Sequence, residues 1–146
     1  MDTIVKKIPN KEPAHPILSD TKYKMSTMLI DYAKKGDTKE CQKLLSKSSV
    51  DPNRTDWNGK APLHYAAANG HTPTCEILIQ NKANVNLRGR FDGMTPLMCA
   101  AENRHWQTCQ KLVELQADKR STDVHFMCYT DHAAHHKHGL LRQMTI

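Results

Sequence analysis

Thirty-four residues separate three copies of one pattern along this chain. Ala33, Ala67 and Ala101 fall in one register, as do Cys41, Cys75 and Cys109, and Leu44, Leu78 and Leu112. The stretch from Asn58 to His71 is matched by the stretch from Asp92 to His105. Within it Ala61-Pro62-Leu63-His64 answers Thr95-Pro96-Leu97-Met98, and an alanine pair follows in both copies. A period of this size marks stacked supersecondary units, none of which buries its apolar face alone. Stacking produces an extended surface, so the repeat points to recognition of another molecule and away from a closed catalytic cavity.

At these residues the chain resembles the ankyrin repeat family. The resemblance rests on the Thr-Pro-Leu-His-like boxes, the alanine pairs, Gly70-His71, and Lys82-Ala83-Asn84-Val85-Asn86 leading into the next turn. It covers roughly residues 27–123. It implies an all-α solenoid of about three helix-turn-helix repeats with β-turn fingertips, divided here as 27–57, 58–91 and 92–123. Function does not follow from such a fold, which serves many.

Local chemistry supports that division. Pro62 and Pro96 suit the first turn of a helix, where a missing N–H is harmless. The first helix is expected from Thr27 to Lys35, ended by Gly36, and the second from Thr38 to Ser46. Cys41, Leu44 and Leu45 then share one face. The same reading gives Pro62–Asn69 with Thr72–Gln80, and Pro96–Asn103 with His105–Leu115. Asn58-Gly59 and Asp92-Gly93 are turn dipeptides that tolerate positive φ. One residue beyond the family's usual period falls within Arg88-Gly89-Arg90-Phe91 and is expected to lengthen that fingertip. Residues 1–26 read as a mobile arm, with Lys6, Lys7 and Lys11 as solvated charge in preference to an import signal. Residues 124–146 read as a His-rich tail or a degenerate capping repeat, because Ala133-Ala134 lie 33 residues after Ala100-Ala101.

A chain of 146 residues suits one domain. Its net charge of +6 favours acidic partners. The five cysteines are an odd number, three of them at one repeat position, which fits a reducing cytoplasmic or nuclear setting. The first nine residues lack the apolar stretch of a secretory leader, and no run approaches a bilayer span. No phosphate-binding glycine loop, nucleophile elbow or pair of catalytic carboxylates is present. The chain therefore reads as non-enzymatic, without cofactor or metal.

Register assigns the concave face, the contact surface most used in the resembled family. Asp31, Tyr65 and Cys99 are equivalent, as are Lys34, Ala68 and Glu102, and Lys35, Asn69 and Asn103. The fingertips add Trp57 with Phe91, and Arg54 with Arg88, at equivalent spacing, while Lys60, Arg90 and Met94 complete the edge. The expected partner-binding set is Trp57, Phe91, Arg54, Arg88, Arg90, Lys60, Tyr65, Asn69, Glu102 and Asn103. Aromatic and arginine side chains dominate binding energy at interfaces, and a basic edge calls for an acidic patch on the partner. The alternative for Trp57 is a local plug folded over its own turn.

Cys41, Cys75 and Cys109 are expected inward as small hydrophobes, with Cys99 the exposed thiol. His125, His132, His135, His136 and His138, with Cys128, form a cluster in which His132 and His136 have the spacing of a zinc pair. No second ligand pair accompanies them, so a solvated tail is the preferred reading. In the resembled family the box Thr and His bond each other, yet Ala61 precedes His64 and Thr95 precedes Met98. A stack of marginal stability is expected from that loss. The leading reading is a small intracellular adaptor or inhibitor, a cell-cycle or transcription-factor regulator by family analogy alone. The alternatives are a basic nucleic-acid-associated protein and a metal-responsive module built on the histidines; oligomeric state is left open.

Overall fold

The computed structural model describes residues 17–125 and 127–134, the first four as backbone only. Among them are seven helices and no strand. They are α1 (Ile17–Lys35), α2 (Thr38–Leu45), α3 (Pro62–Ala68), α4 (Thr72–Gln80), α5 (Pro96–Glu102), α6 (Trp106–Glu114) and α7 (Tyr129–Ala134). The inner helices α1, α3, α5 and α7 pack neighbour to neighbour. The outer helices α2, α4 and α6 form a second row, each against the inner helix before it. The all-α repeat solenoid expected from the sequence is the observed architecture.

The inner helices α1, α3 and α5 end by the same device, with Arg104 at φ +63° in the third where the first two carry glycine. Gly36 at φ +75° and Gly70 at φ +74° turn the chain left-handed. The next amide then reaches back five residues, Asp37 to Tyr32 and His71 to Ala66, each at 2.9 Å. This pattern satisfies carbonyls that the helix end leaves open. Glycine is required for space as well as for φ. A Cβ on Gly36 would stand 2.5 Å from the His71 ring, and one on Gly70 2.5 Å from the His105 ring. The imidazole of each repeat thus lies on the helix terminus of the repeat before it. His71 Nε2 also donates to the Lys34 carbonyl at 3.0 Å.

The core runs between the two rows. Leu29, Leu63 and Leu97 fill the inner row, while Cys41, Cys75 and Cys109 sit beside Leu44, Leu78 and Leu112 in the outer one. All three of these cysteines are inaccessible to solvent, as their spacing predicts. Hydroxyl pairs stitch the outer row: Thr38 to Thr74 at 2.8 Å and Thr72 to Thr108 at 2.7 Å.

The box that lacks its threonine keeps an inter-repeat bond by another route. His64 Nδ1 accepts the Ala61 N–H at 3.1 Å, which places the ring proton on Nε2. That Nε2–H donates to the Met94 carbonyl of the next repeat at 2.9 Å. In repeat three Thr95 caps its own helix, accepting the Met98 N–H at 3.3 Å.

The first helix begins at Ile17, ten residues before the expected start at Thr27. Ser26, Leu29, Ile30 and Ala33 share one buried face at helical spacing, so the helix is packed one turn earlier than its apolar residues indicate. Tyr23 and Met25 are only partly covered, so residues 21–25 carry no apolar stripe to read. The rest of the expected arm, including Lys6, Lys7 and Lys11, lies outside the described residues.

Two consequences are measurable. The Ser26 hydroxyl is buried with no hydrogen-bond partner. Ser26→Ala therefore leaves the melting temperature unchanged or raises it by a few degrees, because it removes an unmatched polar group. Ser26→Lys buries a charge and lowers stability by on the order of 2–3 kcal/mol; an unaltered melting curve for Ser26→Lys would show that this turn is not packed. Burial holds the His64 pKa down at about 4. Its folded value thus lies below the unfolded value of about 6.5, so protons favour the unfolded chain. Stability should fall as pH drops from about 6.5 to 4, by on the order of 3 kcal/mol at this site. His64→Gln should be less stable at neutral pH and show a flatter acid limb in thermal denaturation.

Candidate functional site: the fingertips and the concave groove

Three turns project between the helix pairs, and their hydrogen bonds define a common frame. In the first, Asp56 N–H reaches the Lys60 carbonyl at 2.9 Å, and Asp56 Oδ1 accepts the amides of Asn58 and Lys60. The third repeats this with Asp123: its N–H meets the Met127 carbonyl at 3.0 Å, and its Oδ1 accepts the amides of His125 and Met127. The second spans one residue more, with Gly89 N–H on the Met94 carbonyl at 2.7 Å. The extra residue falls where the sequence places it. Gly89 holds the position of the two aspartates, and Asp92 supplies the missing carboxylate from within the turn. A Cβ on Gly89 would collide with Asp92 Oδ1, and that oxygen accepts the Met94 N–H at 2.9 Å.

This frame corrects two equivalences: Arg90, which follows Gly89 as Trp57 follows Asp56, and not Phe91, stands in the place of Trp57. The Arg54 amide bonds the Asp51 carbonyl and the Leu87 amide bonds the Asn84 carbonyl, so Leu87, not Arg88, occupies the place of Arg54. The insertion comes after these residues, and a fixed spacing of 34 overlooks it. Trp57 is matched in the third fingertip by Val124, which follows Asp123 as Trp57 follows Asp56.

Trp57 stands 86% exposed, Phe91 65% and Val124 49%, the exposed large hydrophobics among the described residues. Each belongs to a different fingertip. Trp57 does not fold back as a plug. Val124 is absent from the sequence-based set, since the repeat pattern fades there; its offset of one from Asp123 is the signal that would have found it. Arg88 and Arg90 are exposed beside Phe91, with the Arg90 guanidinium 5.9 Å from its ring. Arg54 is half-buried over the Tyr23 ring at 4.4 Å.

The groove residues are more tied down. Tyr65 donates to Asp56 Oδ2 at 2.5 Å and carries the Lys34 ammonium 4.5 Å above its ring. Burial and the bond to Asp56 both push the phenol upward. Asn69 is exposed yet spends its amide on the Lys34 carbonyl at 3.0 Å, and Asn103 donates to the Cys99 carbonyl at 2.8 Å. Lys60 pairs with Asp92 at 2.5 Å. Burial works against both charges, but that mutual bond, with neighbouring charges, leaves the Lys60 ammonium raised and the Asp92 carboxyl lowered. Glu102 stays exposed at the edge of a cleft of about 510 Å3, whose walls include Met94, Asp123, Met127 and His132. The equivalent positions Lys34, Ala68 and Glu102 therefore run from basic to acidic along the groove.

Two expectations fail at the C-terminal end. Cys99 is 5% exposed, not an open thiol, because α7 packs over α5 and covers it. His132 is likewise buried within α7, where its Nε2 lies 3.0 Å from Asp123 Oδ2. Burial raises the Asp123 carboxyl, but the two backbone amides and His132 outweigh it and hold it low. A tail free in solvent does not include His132; His125 is exposed, and His135, His136 and His138 lie outside the described residues. No three His, Cys, Asp or Glu side chains converge as a cation site among the described residues. Burial pushes the thiols of Cys75, Cys99 and Cys109 up to about 12 and that of Cys41 to about 11, so they remain protonated and unreactive.

These features define a stacked helical-repeat protein whose fingertips edge a groove. A family model described as ankyrin repeats, in three copies, matches residues 20–123, and the chain belongs to the ankyrin repeat family. Ankyrin repeats are generally protein–protein interaction modules, a non-enzymatic fold. The chain has no match among curated proteins. No helix among the described residues is long and apolar enough to cross a membrane.

The Asp123–His132 pair helps hold α7, which packs on the helix that carries Cys99. Asp123→Ala should expose that thiol, and mass-spectrometric alkylation of Cys99 in native protein should quicken at least tenfold over wild type. Equal rates would mean that α7 is held by other contacts.

Proposed function

We propose that this protein is a small intracellular, non-enzymatic adaptor or inhibitor, cytoplasmic or nuclear, that masks a surface of one protein partner. The observation that carries this reading is the placement of Trp57, Phe91 and Val124. Large apolar side chains exposed singly are unremarkable, but one on every fingertip of a stacked array forms a continuous contact edge. Arg88 and Arg90 beside it favour an acidic patch on the partner. Arg54, Lys60, Tyr65, Asn69, Glu102 and Asn103 line the adjoining groove and are proposed to add specificity. Tyr65 and Lys60 are held by Asp56 and Asp92, so they would meet the partner in a preset position. The free state of all five cysteines suits a reducing compartment.

The test is a quantitative pull-down from cell extract with wild type and with a Trp57→Ala/Arg88→Ala/Phe91→Ala variant of intact circular dichroism. The expected result is selective loss of a small set of proteins. For the partner thus identified, Trp57→Ala alone should weaken binding by roughly 30-fold, about 2 kcal/mol, as at other aromatic hot spots. An unchanged set would move the contact to the groove. Recovery dominated by nuclease-sensitive material would replace this reading with nucleic-acid binding.

A further inference from the structure

The three exposed tips form a row whose spacing is set by backbone hydrogen bonds. Each fingertip closes on itself, and neighbours are joined through Arg90 N–H to the Gly59 carbonyl at 2.9 Å and Val124 N–H to the Asp92 carbonyl at 3.0 Å. Two hydrogen-bonded chain spacings of about 4.8 Å therefore separate the equivalent backbone positions of Trp57, Arg90 and Val124, about 10 Å from one to the next, and Phe91 is the immediate neighbour of Arg90. A Cβ on Gly59 would stand 3.1 Å from the Phe91 ring, and one on Gly93 3.1 Å from Val124 Cγ1, so Phe91 and Val124 each lie against the glycine of the fingertip before.

A ligand that meets all three tips must repeat its apolar face at that interval. An extended strand does not, because its same-face side chains recur at about 7 and 13 Å. An α-helix returns to the same face after seven residues, a rise of about 10.5 Å. A polyproline helix repeats at about 9 Å, but such ligands dock into grooves lined by aromatic rings, whereas here each ring stands alone on a projecting tip. Charge adds direction. Arg88 and Arg90 lie exposed on the same edge, while the groove beside it is lined by polar Tyr65 and Asn69 and by Glu102.

We infer that the fingertip ridge receives an amphipathic helix of the partner, about fifteen residues long, with apolar side chains at seven-residue intervals and Asp or Glu beside them. This rests on the ridge being the contact surface, as proposed above. Trp57 takes the first apolar residue, Phe91 the second and Val124 the third, with Arg88 and Arg90 against the acidic flank.

The test is selection of a phage-displayed library of random 16-residue peptides on the full chain. Selected peptides are then re-bound to a folded Trp57→Ser/Phe91→Ser/Val124→Ser variant. The expected ligands lose at least tenfold in affinity on that variant, carry apolar residues at seven-residue intervals next to acids, and gain helical circular dichroism on binding. Arg88→Glu/Arg90→Glu should weaken them at least fivefold. Ridge-dependent ligands with alternating or proline-based spacing would overturn the helix while leaving the ridge as the contact surface. Ligands indifferent to the ridge variant, or failure to select any ridge-dependent ligand, would overturn both.

Discussion

The stack is held together by bonds that each repeat makes to the next, and the link from the His64 ring to the Met94 carbonyl is the one on which the rest is aligned. It joins the base of an inner helix to the outgoing arm of the following fingertip. That arm leads straight into Thr95 and α5, so the imidazole ties the second repeat to the segment that starts the third. The bond needs a proton on Nε2, and burial with the Ala61 amide at Nδ1 keeps the ring neutral and in that tautomer. The outer row adds its threonine pairs, and the fingertips add one backbone bond per junction. Since each unit touches only its neighbours, loss of one link is felt locally first.

The period and the turn chemistry made most of this legible. Helix ends after Lys35 and at Pro62 and Pro96 follow from proline and glycine placement, and the inward cysteines follow from register. The misses have physical causes. The start of α1 is hidden because residues 21–25 are mostly polar and exposed or only partly covered. Cys99 reads as open groove even though Ala133-Ala134 mark a degenerate capping helix, because the sequence of a six-residue helix does not show how much of α5 it covers. Counting by a constant interval paired Arg54 with Arg88, although the chain gains its extra residue beyond both. Hydrogen-bond partners, which a single sequence does not display, decide such cases.

The groove combines fixed and adjustable parts. Half-buried Tyr65 and exposed Asn69 and Asn103 are already bonded within the chain, so they present defined donors and faces. Trp57 and Glu102 are freer. Between the basic C-terminal end of α1 and the acid on α5 the wall changes sign, which would favour one direction of a docked segment over its reverse. Chemistry at sulfur has no part in this, since the repeat cysteines are closed off by packing.

The second fingertip shows how a repeat absorbs a length change. Its carboxylate comes from Asp92 at the far side of the turn, and Gly89 vacates the space an aspartate would fill. Turn length and the address of the acid are thus one inherited character. Shortening this loop by a residue would call for an acid at 89, and inserting one into either neighbouring turn would call for the reverse exchange. A fingertip transplanted between repeats of this chain has to travel whole, with its glycine and its acid together.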